Sequence, residues 1–156
     1  GLIYDAHIMT GVAGKGRGME NAEALAQFLN RTNPAHVVNF SMFLHKEVPL
    51  YEDIRQGTFV PADELETIRE EYHLIERIAP EKAGANILYD GFHDFIHVRV
   101  RGHLPGDKEK MLAKLSGIIQ EYEGKEPVYS FVQGECPDLE YCDDGKAVWD
   151  MDRKTS

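Results

Sequence analysis

The sequence predicts an α/β fold built from parallel βαβ units, and three observations support this. An apolar run, Ile3–Met9, is followed at once by a glycine-rich stretch from Gly11 to Gly18. The apolar residues then take a helical spacing, and a second apolar run occupies residues 36–44. Strand, glycine loop, helix and strand in this order form a βαβ unit of ordinary length. Because the second run is apolar on both faces, we expect it to be a buried parallel strand.

Two helical segments follow from residue spacing. The helix after the glycine loop ends at Asn33-Pro34, and its predicted apolar face consists of Ala22, Leu25, Ala26 and Leu29. Residues 45–61 form a long connection that contains two prolines and a glycine. Within it we expect a short helical turn at 50–56, and long connections after a strand often have a functional role.

A longer helix begins at Asp63, since Glu66 three residues later completes a capping box. Pro80 ends this helix, and its predicted apolar face consists of Leu65, Ile68, Tyr72, Ile75 and Ala79. Residues 87–89 form a further short candidate strand. A third helix is predicted from Asp107 to Tyr122, with Leu112, Leu115, Ile119 and Tyr122 inward. The last 34 residues, counted from 123 to 156, contain a weak strand at 128–132 and an acidic, irregular tail.

Residues 93–104 alternate as a half-buried strand would. Ile96, Val98 and Val100 are predicted on one face, and a basic face is formed by His97, Arg99, Arg101 and His103. A metal site that uses His93, His97 and His103 is disfavoured, because the last two would lie about 20 Å apart along a strand. His93 and His97 remain a possible pair only if the strand bends. Structural or surface histidines are the preferred interpretation. The basic face is a more plausible contact for an anionic substrate or a neighbouring domain.

The composition is that of an ordinary globular protein. Charged residues make up 28% of the 156 residues and hydrophobic residues 42%, which favours neither disorder nor a membrane protein. The net charge of −10 disfavours generic nucleic-acid binding. Cys136 and Cys142 fit neither zinc-pair nor thioredoxin spacing and are interpreted as free thiols. They indicate a reducing compartment, and hence a cytoplasmic location.

The glycine loop fails two specific phosphate-loop tests. Counted from Gly11 as a P-loop, Arg17 stands where lysine is needed and Gly18 where a hydroxyl residue is needed. A dinucleotide fingerprint requires G-x-G-x-x-G, whereas this loop contains G-x-G-x-G. A flexible cationic loop with Lys15 and Arg17 at a helix start remains. It either contacts a ligand or is a solvated turn.

Several segments together resemble the radical S-adenosylmethionine (SAM) superfamily. The segment from His7 to Gly14, followed by a helix, is similar to the fifth strand of that barrel. Residues 37–43 resemble the sixth strand, and 48–52 with Gly57 resemble the connection after it. The closest resemblance is to the coproporphyrinogen-dehydrogenase-like and elongator-like group of iron–sulfur oxidoreductases. It covers residues 1–80 well and 87–120 more loosely.

The resemblance implies a fold and a division of the chain. Residues 1–80 would be the C-terminal part of a partial (β/α)6 TIM-like barrel, 81–124 a strand–helix extension and 125–156 an acidic tail. The implied function is a fragment of a radical SAM oxidoreductase that supplies part of the SAM nucleoside site and the substrate-side barrel wall. The implied SAM contacts are Met9, Thr10, Gly11, Val12, Gly14, Asn39 and Ser41.

Two departures from the family bear on activity. The family's G-x-I-x-G-x-x-E pattern falls on His7, Met9, Gly11 and Gly14, so one glycine matches and the carboxylate is missing. The C-x-x-x-C-x-x-C that would hold a 4Fe–4S cluster is absent from the chain. We therefore expect a missing N-terminal half to supply the cluster, and the fragment alone to be inactive. An exposed sheet edge could then support a homo-oligomer.

Two alternatives remain from the residues. The first is a stand-alone α/β module that binds a phosphorylated small molecule through the loop from Gly14 to Gly18. It predicts a well-covered sheet and a monomer. The second is an interaction domain that uses the basic face between His97 and His103.

Overall fold

The structure is a computed structural model that describes residues 3–132 and two short paired strands, Glu140–Tyr141 and Ala147–Val148. Cys136 and Cys142, and most of the predicted acidic tail, lie outside the described residues. The main strands are β1 (Asp5–Thr10), β2 (His36–Ser41), β3 (Ile87–His93) and β4 (Val98–Leu104). The helices are α1 (Gly18–Thr32), α2 (Pro49–Gln56), α3 (Glu64–Arg77) and α4 (Lys108–Tyr122).

The four main strands form one sheet in the order β1-β2-β3-β4. The first three strands are parallel, with Ala6 paired to Val37 and Val37 to Tyr89, whereas β4 runs antiparallel to β3. The predicted α/β class and the parallel β1–α1–β2 unit are therefore confirmed. Residues 81–124 continue the same sheet and the same hydrophobic core as residues 3–80.

One face of the sheet is covered by α1, α3 and α4. Their buried apolar side chains form a single core with the strand residues Ala6, Val37, Ile87, Tyr89, Val100 and Leu104. The parallel strands are added to the sheet in one direction, and their crossover connections have the same hand. The crossover helices therefore lie on the same face of the sheet. The first helix matches its prediction closely, since Ala22, Ala26 and Leu29 are buried and Leu25 packs against them.

The opposite face, called here the open face, has side chains that are exposed or half-buried, except for Asp90. It is defined by Asp5, His7, Met9, His36, Val38, Phe40, Leu88, Asp90, Phe92, Arg99, Arg101 and His103. The expectation that the second strand is buried on both faces is wrong, because Val38 and Phe40 are only half-buried there. One side of β2 contributes Val37 to the hydrophobic core, and the other side places Val38 and Phe40 on the open face.

The connection after β2 follows its prediction. The short helix α2 covers the predicted turn and begins with Pro49, a favoured residue at the first helical position. Asp63 caps α3 by accepting a hydrogen bond from the backbone N–H of Glu66 at 2.8 Å. Leu44, Tyr51, Ile54 and Phe131 form a second, smaller core beyond the carboxyl end of β2.

Three further sequence expectations are wrong. Residues 93–104 are not one strand: β3 ends at His93, a 3-10 turn occupies Asp94–Ile96, and His97 has a positive φ of 55° before β4 begins. Residues 128–132 form only an isolated bridge between Leu44 and Phe131. The apolar face of α3 is also rotated from its prediction. Ala79 is exposed and outside the helix, Leu65 and Tyr72 are half-buried, and Glu64, Thr67, Glu70 and Glu71 are buried.

Candidate functional site

A buried charged cluster lies between the sheet and α3, on the covered side. His93 ends β3 and lies between two carboxylates of α3, with Nδ1 at 3.0 Å from Oε2 of Glu64 and Nε2 at 3.0 Å from Oε2 of Glu71. The side chains of these three residues are 0%, 1% and 0% exposed. We call this set the Glu–His–Glu cluster.

The protonation state of the cluster follows from its contacts. Burial alone would lower the pKa of His93, but its hydrogen bonds to Glu64 and Glu71 outweigh burial and raise the pKa to about 10. Burial would raise the pKa of Glu64, but hydrogen bonds from His93, Ser130 and Ser41 lower it overall. His93 is therefore an imidazolium at neutral pH, and each ring N–H donates to a carboxylate.

The remaining carboxylate oxygens are bonded to neighbouring elements. Oε1 of Glu71 accepts hydrogen bonds from Nδ2 of Asn39 at 3.1 Å and from the hydroxyl of Tyr89 at 2.9 Å. Oε1 of Glu64 accepts hydrogen bonds from the hydroxyls of Ser41, at 3.0 Å, and Ser130. The cluster thus joins β2, β3, α3 and the segment near residue 130. Because it is sealed from solvent, it cannot contact a dissolved substrate in this conformation, and its role is to hold these elements together.

Glu70, also on α3, is bound to the glycine loop. Its Oε2 accepts the backbone N–H of Gly11 at 2.9 Å, and its Oε1 accepts Nδ2 of Asn21 at 2.5 Å. Burial raises the pKa of Glu70 in spite of these two hydrogen bonds. The Cβ of an alanine at Gly18 would lie 2.8 Å from Oε2 of Glu70. A carboxylate of the chain itself therefore lies at the start of α1, where a bound phosphate would be expected.

Other amides of the glycine loop are also used within the chain. The N–H of Gly14 donates to the carbonyl of Gly11 at 3.0 Å, and the N–H of Lys15 donates to the carbonyl of Val60 at 2.8 Å. Arg17 pairs with Glu20 on the surface. These bonds weaken the case for a phosphate-binding module and favour the turn interpretation of the loop.

The close packing of the loop leads to a paired prediction. Gly14 and Gly16 both have positive φ, 80° and 75°, but only at Gly14 would an added Cβ meet a backbone atom, the Val60 carbonyl oxygen, at 2.8 Å. Gly16→Ala should lower the free energy of unfolding by about 1 kcal/mol through backbone strain alone. Gly14→Ala should cost at least about 1 kcal/mol more, as measured by urea denaturation. Equal costs would contradict the close approach of Gly14 to Val60.

The predicted SAM contacts are divided between the two sides of the sheet. Met9 is half-buried on the open face, and Val12 is exposed beyond the end of β1. Thr10, Asn39 and Ser41 are buried on the helix side; the last two bind the Glu–His–Glu cluster, and the hydroxyl of Thr10 donates to the carbonyl of Phe40 at 3.3 Å. Gly11 and Gly14 are buried in the loop. The seven residues share the carboxyl end of the first two strands but do not point into one cavity.

The open face contains its own charged group. Asp90 accepts two hydrogen bonds from Arg99, at 2.7 and 2.6 Å, and Nε of Arg101 lies 3.7 Å from Oδ2 of Asp90. The Arg99 bonds lower the pKa of Asp90, against the effect of burial. Phe40 and Phe92 stack with ring centroids 5.4 Å apart, and the Arg99 guanidinium lies 4.7 Å from the centroid of Phe92. This face therefore offers aromatic, apolar and cationic groups to a ligand.

Comparison with known proteins gave no match among family models, curated proteins or solved structures. Within residues 3–132, no group of three or more His, Cys, Asp or Glu side chains has a metal-binding arrangement. In the same residues, no helix has both the length and the apolar character needed to cross a membrane.

Sequence reasoning missed the Glu–His–Glu cluster. Glu64, Thr67 and Glu71 lie three and four residues apart and so share one face of α3, in line with the buried Leu74 and Ile75. Asn39 and His93 lie on the covered face of their strands. The sequence does contain a signal for this cluster. On α3 a polar stripe continues the apolar stripe, and polar residues occupy inward positions of the strands.

Proposed function

We propose that this chain forms the C-terminal part of a partial radical SAM barrel, and that it supplies part of the SAM nucleoside site and the substrate-side barrel wall. The observation that supports this proposal is that helices cover only one face of the main sheet. Three consecutive parallel strands advance in one direction, α1, α3 and α4 pack on one face, and the other face is open. In a (β/α) barrel the helices form the outer layer and the opposite face of the sheet becomes the interior.

The resemblance of the first two strands to the radical SAM superfamily indicates that the cofactor would be SAM. The half-buried side chain of Met9 and the exposed Val12, at the carboxyl end of β1, are the groups suited to contact the nucleoside. Ligand contacts are usual at this end of barrel strands. On the covered face of the sheet, Asn39 and Ser41 donate hydrogen bonds to the buried carboxylates of α3. These bonds hold the carboxyl end of β2 in place.

The residues of the chain do not fit a 4Fe–4S cluster, because the C-x-x-x-C-x-x-C motif is absent from the sequence. Such a cluster, bound elsewhere in a longer polypeptide, would supply the electron that cleaves SAM. The contribution of this chain is to bind, orient and shield the nucleoside. We propose no proton or electron transfer through its own side chains.

The proposal is tested with the longest polypeptide that the gene encodes, purified without oxygen. We expect three closely spaced cysteines upstream of Gly1, bound iron, and reductive cleavage of SAM to 5′-deoxyadenosine. Absence of the upstream cysteines would refute the proposal, as would SAM left intact by an iron-loaded protein.

A matched pair of methionine variants tests the placement of the nucleoside. Met9→Lys puts a cation on the half-buried open face at the carboxyl end of β1, and should reduce SAM cleavage at least about tenfold by misplacing the nucleoside. Met19→Lys introduces the same group on α1, where the side chain is 44% exposed, and should leave cleavage unchanged. The rate of 5′-deoxyadenosine formation is the measurement. Equal losses in both variants would place the nucleoside elsewhere.

A further inference from the structure

The open face has an excess of positive charge along β4. Asp90 is the carboxylate that the two guanidiniums of Arg99 and Arg101 share, so two positive charges meet one negative and one positive charge remains. Arg99 uses its fork on Asp90, whereas Arg101 lies at 3.7 Å and its side chain is 55% exposed. In a chain of net charge −10 this local excess is unusual. It identifies Arg101 as the residue placed to bind an external anion.

Around Asp90, the residue paired with Arg101, the open face is apolar. Val38 and Leu88 are half-buried, and so are Phe40 and Phe92 on the adjoining register row. Phe92 is flanked by the stacked ring of Phe40 and the guanidinium of Arg99, so its faces are covered and its edge is left for contact. A ligand would therefore lie across ring edges and aliphatic side chains, and would not stack between the rings.

We propose that the open face binds a monocarboxylate with an apolar body. Arg101 binds the carboxylate, and Leu88 and Phe92, which lie on either side of Asp90 on the same face of β3, contact the body. A single excess positive charge matches a monoanion and undercompensates a doubly charged phosphate. Strands about 4.8 Å apart and like-facing residues about 6.7 Å apart along each strand give room for a body of roughly ten heavy atoms.

The inference deepens the proposed function and rests on it, because the open face is the proposed substrate-side wall. Binding itself requires neither SAM nor an iron–sulfur cluster. It can therefore be measured on the 156-residue chain alone. A failure of carboxylate binding leaves the SAM cleavage experiment unaffected, so the two failures are distinguishable.

The experiment is calorimetric titration at low salt with octanoate, its neutral isostere octanamide, and acetate. We expect octanoate to bind at least about fivefold more tightly than either of the others, because only octanoate has both the charge and the apolar body. Arg101→Gln should reduce octanoate affinity about fivefold and leave octanamide affinity unchanged. Arg31→Gln, which removes an exposed arginine from the last turn of α1, is the matched control and should change neither.

Four outcomes would overturn the inference. One is equal affinity for octanoate and octanamide. Another is an equal loss in Arg31→Gln and Arg101→Gln, which would indicate a nonspecific charge effect. The third is no octanoate binding at millimolar concentration. Tighter binding of acetate than of octanoate would also contradict it, since the apolar part of the face would then contribute nothing.

Discussion

Replacing His93 by alanine should lower the free energy of unfolding by about 3 to 5 kcal/mol, the largest single-residue effect we expect in this chain. The substitution removes the imidazolium between Glu64 and Glu71 and leaves two carboxylates buried with no cation between them. It also leaves a cavity at a position that is 0% exposed. Urea denaturation followed by circular dichroism measures the change.

The control is His103→Ala. His103 is exposed on the open face, so its replacement should change stability by less than about 0.5 kcal/mol. If His93→Ala is too unstable to purify, Glu71→Gln keeps the shape of the cluster but removes one charge, and it should still destabilise the fold by more than 1 kcal/mol on the order-of-magnitude cost of a disrupted buried ion pair. Equal stability of His93→Ala and His103→Ala would show that the cluster does not hold the fold together.

The fold could be predicted from the sequence wherever local pattern and tertiary packing agree. The apolar spacing of α1 corresponds to its buried face, because each buried position faces the same core. The cap at Asp63 is a local contact between residues three apart, so it can be recognised without knowledge of the fold. The parallel β1–α1–β2 unit follows from the order and length of its segments.

The polar stripe of α3 could be recognised in the sequence, but the pairing of the Glu–His–Glu cluster could not be predicted, because its partners are distant in the chain. Hydropathy assigns glutamates to the solvent side of a helix, and a buried carboxylate is tolerated only beside a cation or donor. That cation is His93, 29 residues after Glu64 and 22 after Glu71. The rotation of α3 from its predicted face follows from this pairing. Its first turns are buried by charge pairing and its last turns by apolar packing.

The open face was only partly predictable. The alternation of Arg99, Arg101 and His103 correctly places these residues on one side of a strand. The alternation does not reveal that His97 lies outside this strand. The 3-10 turn and the positive φ of His97 separate β3 from β4 at this point. Nor does the alternation reveal Asp90, which comes from the neighbouring strand. The charge balance of this face therefore depends on the strand register.

The second large effect is a loss of stability in alkaline solution. In spite of burial, the two flanking carboxylates raise the folded-state pKa of His93 to about 10 from its ordinary value of 6.5. A group with a raised folded-state pKa stabilises the fold fully below its unfolded pKa, and the stabilisation is lost as pH rises toward the folded value. The free energy of unfolding should therefore fall by about 1.4 kcal/mol per pH unit between pH 7 and 9.5. Urea denaturation at half-unit pH steps measures this slope.

The decrease of stability with pH depends on the charged groups that face His93. Glu64 and Glu71 flank the ring from α3, and Glu70 on the same helix adds to its negative surroundings. Glu71→Gln removes one of the two hydrogen-bonded carboxylates and should flatten the slope, whereas Glu76→Gln, an exposed position on α3, should not. A direct reading comes from the ring protons of His93 by NMR, which should remain those of an imidazolium up to about pH 9. An imidazole signal that titrates near its ordinary pKa, or an equal slope in both variants, would show that His93 is not held as a cation between the carboxylates.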